Sequence, residues 1–217
     1  MANLIDSTYF EKGALYIPNN TDINPGKVGI TNQTDLDFYI IEYERDLLIN
    51  AFGITLYDEL QVALLDLPNA LQKWRDLVTG KNYVNPSGVT KRWEGLRGAN
   101  KQSLVACYVY TEYLRNYNET FATTGVVRND SKNATNYDAT PKYIKAYNKF
   151  IEQYQSDTLA QPRLYINRFG SEGLDWYGAE NATVSLYKFL TDSNLLDVTA
   201  FPNFTFKFYA EQNSFGI

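Results

Sequence analysis

From Thr34 to Val78, apolar residues recur every three or four positions, and the run is cut by Gly53, Pro68 and Gly80. That spacing lines one face of an α-helix, and glycine or proline ends it. The region must therefore become several short helices packed together. Thr34 is a good N-cap for the first, with Asp35 and Asp37 in its first turn. Leu36, Ile40, Tyr43, Leu47 and Ala51 form its stripe, and Phe38, Ile41, Leu48 and Phe52 widen it, so contact on two sides is expected. Gly53 closes that helix, and Thr55 is read as the cap of the next, with Leu56, Leu60, Ala63, Leu64 and Leu67 inward. Pro68 stops it and opens a third helix, from Asn69 to about Val78.

Beyond Gly80 the pattern changes. Asn85-Pro86-Ser87-Gly88 is a turn signal between β-prone pieces near Tyr83-Val84 and Val89–Trp93, which predicts a hairpin within residues 81–98. A long helix is expected from about Ala99 to Asn118, with Leu104, Tyr108, Thr111 and Leu114 on one face. After a connection with one β-like piece at Gly125-Val126-Val127, Thr140-Pro141 opens a helix to about Tyr154. A weaker helix is expected near 181–192, and Phe201–Tyr209 alternates like a strand. The fold class is thus mainly α: a compact bundle of four or five helices with an inserted β-hairpin and extended N- and C-terminal arms. In outline, residues 1–33 are an extended arm, 34–157 the helical core, and 158–217 an irregular C-terminal region. Arms of that kind are expected to pack on something other than so small a core.

The 217 residues include no histidine, which removes Ser–His–Asp and Cys–His catalysis and all His-ligated metal sites. Cys107 is the single cysteine, so neither an internal disulfide nor a thiolate cluster can form. It reads as a buried, inert thiol. Carboxylates adjoin at Asp58/Glu59, Glu42/Glu44 and Asp175 with Glu180, but neighbours on a helix point in different directions, so solvated faces and caps are the plain reading. No enzyme activity, cofactor or metal is expected. The net charge of −5 opposes wholesale wrapping of nucleic acid. The first six residues lack the basic and apolar regions of a signal peptide, and no apolar run is long enough to span a bilayer, so a cytosolic folding environment and no membrane association are expected.

What remains is contact chemistry. Eighteen Tyr, 12 Phe and 3 Trp offer large faces with low conformational-entropy cost. Lys91, Arg92, Arg97 and Lys101 surround Trp93. They fit a solvated hairpin, salt bridges to a partner chain, or phosphate contact. Gly95-Leu96-Arg97-Gly98 lacks the Gly-Lys-Ser/Thr of a phosphate loop. Phe204, Phe206 and Phe208 would share one face of the terminal strand, and Phe215 and Ile217 flank Gly216 at its tip. These nine residues (Lys91, Arg92, Trp93, Arg97, Phe204, Phe206, Phe208, Phe215 and Ile217) are the candidate partner-binding set.

Leu47-Leu48-Ile49-Asn50-Ala51-Phe52-Gly53-Ile54-Thr55-Leu56-Tyr57-Asp58-Glu59-Leu60 resembles the "helix, Gly, Leu-Tyr-x-x-Leu" segment of head–tail connector proteins of tailed phages. Arg92-Trp93-Glu94-Gly95-Leu96, Leu104–Tyr110, Thr123–Val127 and the ending Asn213–Ile217 follow in order. That order is similar to the adaptor, or neck ring, proteins of phages infecting gut Bacteroidales, including crAss-like phages. The resemblance covers roughly residues 34 to 155 and the C-terminal tip. It implies a virion structural protein, assembled in the host cytoplasm. Such proteins form a homo-oligomeric ring, usually of twelve copies, beneath the portal protein. They extend the channel through which genomic DNA passes without sequence-specific binding, dock the tail or the next neck ring, and have no enzymatic activity. The rival reading is a carbohydrate- or surface-binding module stacking sugars on Trp74, Trp93, Trp176 and exposed tyrosines.

Overall fold

The computed structural model describes residues 2–17, 32–98, 101–117, 120–122, 125–127, 140–155 and 183–210. Six α-helices lie among them: α1 (Asn32–Phe52), α2 (Ile54–Leu65), α3 (Gln72–Thr79), α4 (Leu104–Tyr117), α5 (Thr140–Gln155) and α6 (Leu186–Leu196). Two antiparallel pairs interrupt them, β1 (Lys81–Val84) with β2 (Thr90–Trp93), and β3 (Thr120–Ala122) with β4 (Gly125–Val127). The fold is a helical bundle with an inserted hairpin, as expected.

α4 is its axis. Every residue from Leu104 to Tyr113 is buried, because α1 packs on one side of the helix and α5 on another. The sequence pattern shows this as apolar residues all round, the mark of a helix without a solvent face. The N-terminal bound is later than expected, because Ser103 Oγ accepts from the Ala106 N–H at 3.2 Å and starts the helix there. α6 is likewise displaced from the expected 181–192 to 186–196. Its cap is Ser185, whose side chain accepts from the Lys188 N–H. Val184 is instead drawn out as an extended residue beside β2, its N–H donating to Arg92 O at 2.9 Å.

Gly53 joins α1 to α2 in a single residue at φ +80°, a conformation open chiefly to glycine. Gly53, not Thr55, occupies the N-cap position of α2, so that cap has no side-chain bond. The third helix begins at Gln72 because a 3₁₀ turn, Leu67–Asn69, takes up the residues around Pro68. Along α1 the main stripe is confirmed, but Phe38 and Ile41 are 65% and 47% exposed, so the second contact exists only at Leu48 and Phe52.

Both terminal segments fold back on the bundle. Residues 2–17 make two 3₁₀ turns and bury Leu4, Ile5, Phe10, Leu15 and Ile17. The expectation of an arm lacking a local core is corrected: the first turn packs on α1 and the second on α4, and five apolar side chains are buried. Residues 18–31 of the expected arm lie outside the described residues.

Candidate functional site

The hairpin decides where three of the candidate contacts go. Strand side chains alternate, and the register places Lys81 opposite Trp93 and Tyr83 opposite Lys91 on the inner face. Trp93 is 2% exposed, stacks on Phe189 with centroids 5.3 Å apart, and donates its indole N–H to Leu77 O at 2.9 Å. Lys91 is buried beside it. Tyr83 donates its hydroxyl to Asp192 at 2.9 Å, and Asp192 also pairs with Lys188 at 2.9 Å. Of the three candidates only Arg92 faces outward, held by Glu94 at 2.7 Å and Asn82 at 3.1 Å. Lys91 and Trp93 are therefore corrected as candidate partner-binding residues, because β alternation sends both into the core and only Arg92 away from it.

Arg97 belongs to a different construction. The segment after β2 covers the C-terminal end of α3, where Leu96 N donates to Leu77 O at 3.0 Å and Arg97 N to Val78 O at 3.1 Å. These bonds satisfy carbonyls that a helix end leaves open. The two backbones cross at Gly80 and Gly95, both with φ above +80°. A Cβ on Gly95 would lie 2.6 Å from Val78 O and Gly80 N, so neither crossing residue can carry a side chain without moving the backbone. The Arg97 carbonyl then accepts the Tyr9 hydroxyl at 3.0 Å, tying this loop to the N-terminal segment.

Phe204, Phe206 and Phe208 do share a face, but that face meets the chain's own bundle. Phe206 stacks on Tyr154 at 4.3 Å, and Tyr187 of α6 sets its edge against all three rings at 6.2, 5.0 and 5.3 Å. Lys207 N donates to Asn50 O at 2.9 Å, and Gln155 grips Tyr209, accepting from its N–H at 2.8 Å and donating to its carbonyl. Phe201 is fully buried against Trp74 and Phe189. Residues 201–210 form no strand: the Gln155 side chain of α5, the Asn194 side chain of α6 and the Asn50 carbonyl of α1 supply the bonds that a sheet edge would have given. The expected free strand-like arm is corrected accordingly. Phe208 keeps an open ring at 51% exposure. Phe215 and Ile217 lie outside the described residues.

Glu44 and Gln155 organise this interior; the solvated face expected for Glu44 beside Glu42 is corrected, because Glu44 falls on the inner stripe of α1 and is buried. Glu44 is 3% exposed, and its carboxylate accepts from the N–H groups of Leu4 at 2.8 Å and Ile5 at 3.3 Å. Burial pushes its pKa up to about 7 against the pull of those two donors and of Arg97. Its one sequence signal is an acid falling on the inner stripe of α1 between Ile40 and Leu47. Gln155 is a polar residue at the end of an aromatic stripe, and nothing local marks it.

Reactive chemistry is sparse among the described residues. Burial raises the Cys107 thiol to about 12, leaving no thiolate. Asp58 and Glu59 are exposed on α2, Glu42 is exposed while Glu44 is buried, and Asp175 and Glu180 lie outside the described residues. No group of three or more His, Cys, Asp or Glu among the described residues could hold a metal ion. An open depression of about 220 Å³ lies between Lys12 and Lys101. The Lys101 ammonium is tied there to Thr8 Oγ1 at 2.7 Å and lies 5.9 Å from the Tyr9 ring. Trp74 and Trp93 offer no open ring face, and Trp176 lies outside the described residues. No described helix is long and apolar enough to cross a membrane. Comparison with family models, with curated proteins and with solved structures gives no match for this chain.

Proposed function

We propose that this chain is a head–tail connector of a tailed phage, a virion protein forming a ring below the portal protein, through which genomic DNA passes to the tail or the next neck ring. The observation that carries the reading is the helix–glycine–helix corner: Leu47, Leu48, Ala51 and Phe52 before Gly53, and Leu56, Tyr57 and Leu60 after it, are all buried. The residues that carry the resemblance to connectors are thus those that set the angle between α1 and α2. The exposed large apolar side chains of α1 and α2, with Phe38 at 65% and Leu65 at 75%, suit a subunit whose surface is finished by other chains. Electron microscopy of purified particles tests the proposal. The expected density is a closed ring, with twelve copies of this fold, on the particle axis beneath the portal. Placement on the capsid shell or on fibres, or absence from the particle, would overturn it.

A further inference from the structure

The solvent side of α2 carries three large apolar side chains among its polar residues. Ile54, Asp58, Val62 and Leu65 fall at i, i+4, i+8 and i+11 on the face opposite the buried Leu56, Leu60 and Leu64. Ile54, Val62 and Leu65 are 52%, 70% and 75% exposed. Lys73 connects α2 to α3 and to the turn after α6. Its ammonium lies 3.7 Å from Glu59 of α2 and 4.9 Å from the Trp74 ring, and it acts on Asp197 in the turn after α6.

The charge of this face has one sign to spare. Asp58, Glu59, Asp66 and Asp197 are all exposed. Hydrogen bonds from the Thr199 side chain and main chain hold Asp197 below the ordinary carboxylate range. Lys73 is engaged by Glu59 and two rings, and Arg75 by Pro68 O at 3.2 Å and the Gln72 side chain. Apolar side chains interleaved and edged with carboxylates match an occupant with an apolar stripe flanked by lysines or arginines.

We propose that this face docks a basic amphipathic helix of another protein, its apolar stripe on Ile54, Val62 and Leu65 and its cations on the neighbouring carboxylates. Helix-on-strip recognition of this kind gains affinity from apolar burial, while charge selects the partner and speeds encounter. The proposal does not depend on the connector reading.

The test uses the full chain and a labelled peptide of about 18 residues, five helical turns. The peptide contains only Leu and Lys in an amphipathic pattern, and a control has the same composition scrambled. Fluorescence anisotropy should show saturable binding of the patterned peptide, and at least tenfold weaker binding of the scrambled one. Val62→Asp with Leu65→Asp, on exposed positions and with circular dichroism unchanged, should weaken binding at least tenfold. Asp58→Lys with Asp66→Lys should weaken it several-fold and flatten its salt dependence. Equal binding of both peptides, equal binding by the Val62/Leu65 variant, or no binding would each overturn the proposal. So would a concentration-dependent dimer in sedimentation that the Val62/Leu65 variant abolishes, since the occupant would then be a second copy.

Discussion

Glu44 ties the N-terminal segment to α1 through two backbone N–H groups, and its burial makes the tie depend on pH. The carboxyl titrates near 4.5 in the unfolded chain and near 7 when folded. The folded protein therefore holds the proton more tightly. That contribution is complete below pH 4.5, declines as pH rises towards 7, and is absent above it. It amounts to about 3 kcal/mol as an order of magnitude. Burial raises Glu112 as well, so the total slope includes both groups and the wild-type/variant difference isolates Glu44. Urea titrations from pH 5 to pH 8 should show the wild type losing stability across that range (~3 kcal/mol at most), with Glu44→Gln losing clearly less. Parallel slopes would show that Glu44 titrates normally in the fold.

At the scale of an element, the C-terminal segment behaves as core rather than as an appendage. Phe201 fills the space between Trp74 of α3 and Phe189 of α6, and Asn194 binds both its N–H and its carbonyl at 2.7 Å. Phe201→Ala should cost about 3–5 kcal/mol, the usual loss for a buried phenylalanine. Deleting residues 201–217 should lower the melting temperature by roughly 10 °C. An unchanged melting temperature after the deletion would mean that the segment contributes nothing to the fold. Leu104 and Leu114 show the same logic inside α4. Both lie on the apolar stripe, yet Leu104 is 2% exposed while Leu114 is only partly buried.

At the scale of the molecule, one hydrophobic cluster runs from Leu4 in the N-terminal segment through α1–α6 to Phe201. With terminal segments and helices sharing one core, unfolding should be a single cooperative event. Thermal melts followed by far-ultraviolet circular dichroism, for the helices, and by near-ultraviolet signals, for the packed Tyr and Trp rings, should coincide. An earlier near-ultraviolet transition would show that the terminal segments leave first.

Local features carried the helix-and-hairpin content of this fold. A stripe at helical spacing, a glycine able to adopt positive φ and the Thr140-Pro141 start act over a few residues, so α1, α2, the hairpin and α5 were legible from their own letters. The tertiary structure alone decided which side each exposed-looking residue would take. Trp93 and Lys91 stand in the sequence as candidate contact residues, but α6 supplies Phe189 and Asp192 to cover the inner face of the hairpin. Phe206 read as a free strand residue until Tyr154 and Gln155, some fifty residues earlier in the chain, provided its stacking partner and the bonds at Tyr209. Alternation shows that two faces differ, but not which neighbour arrives to bury one of them. That choice depends on contacts between residues far apart in the chain, whose energy no local window contains.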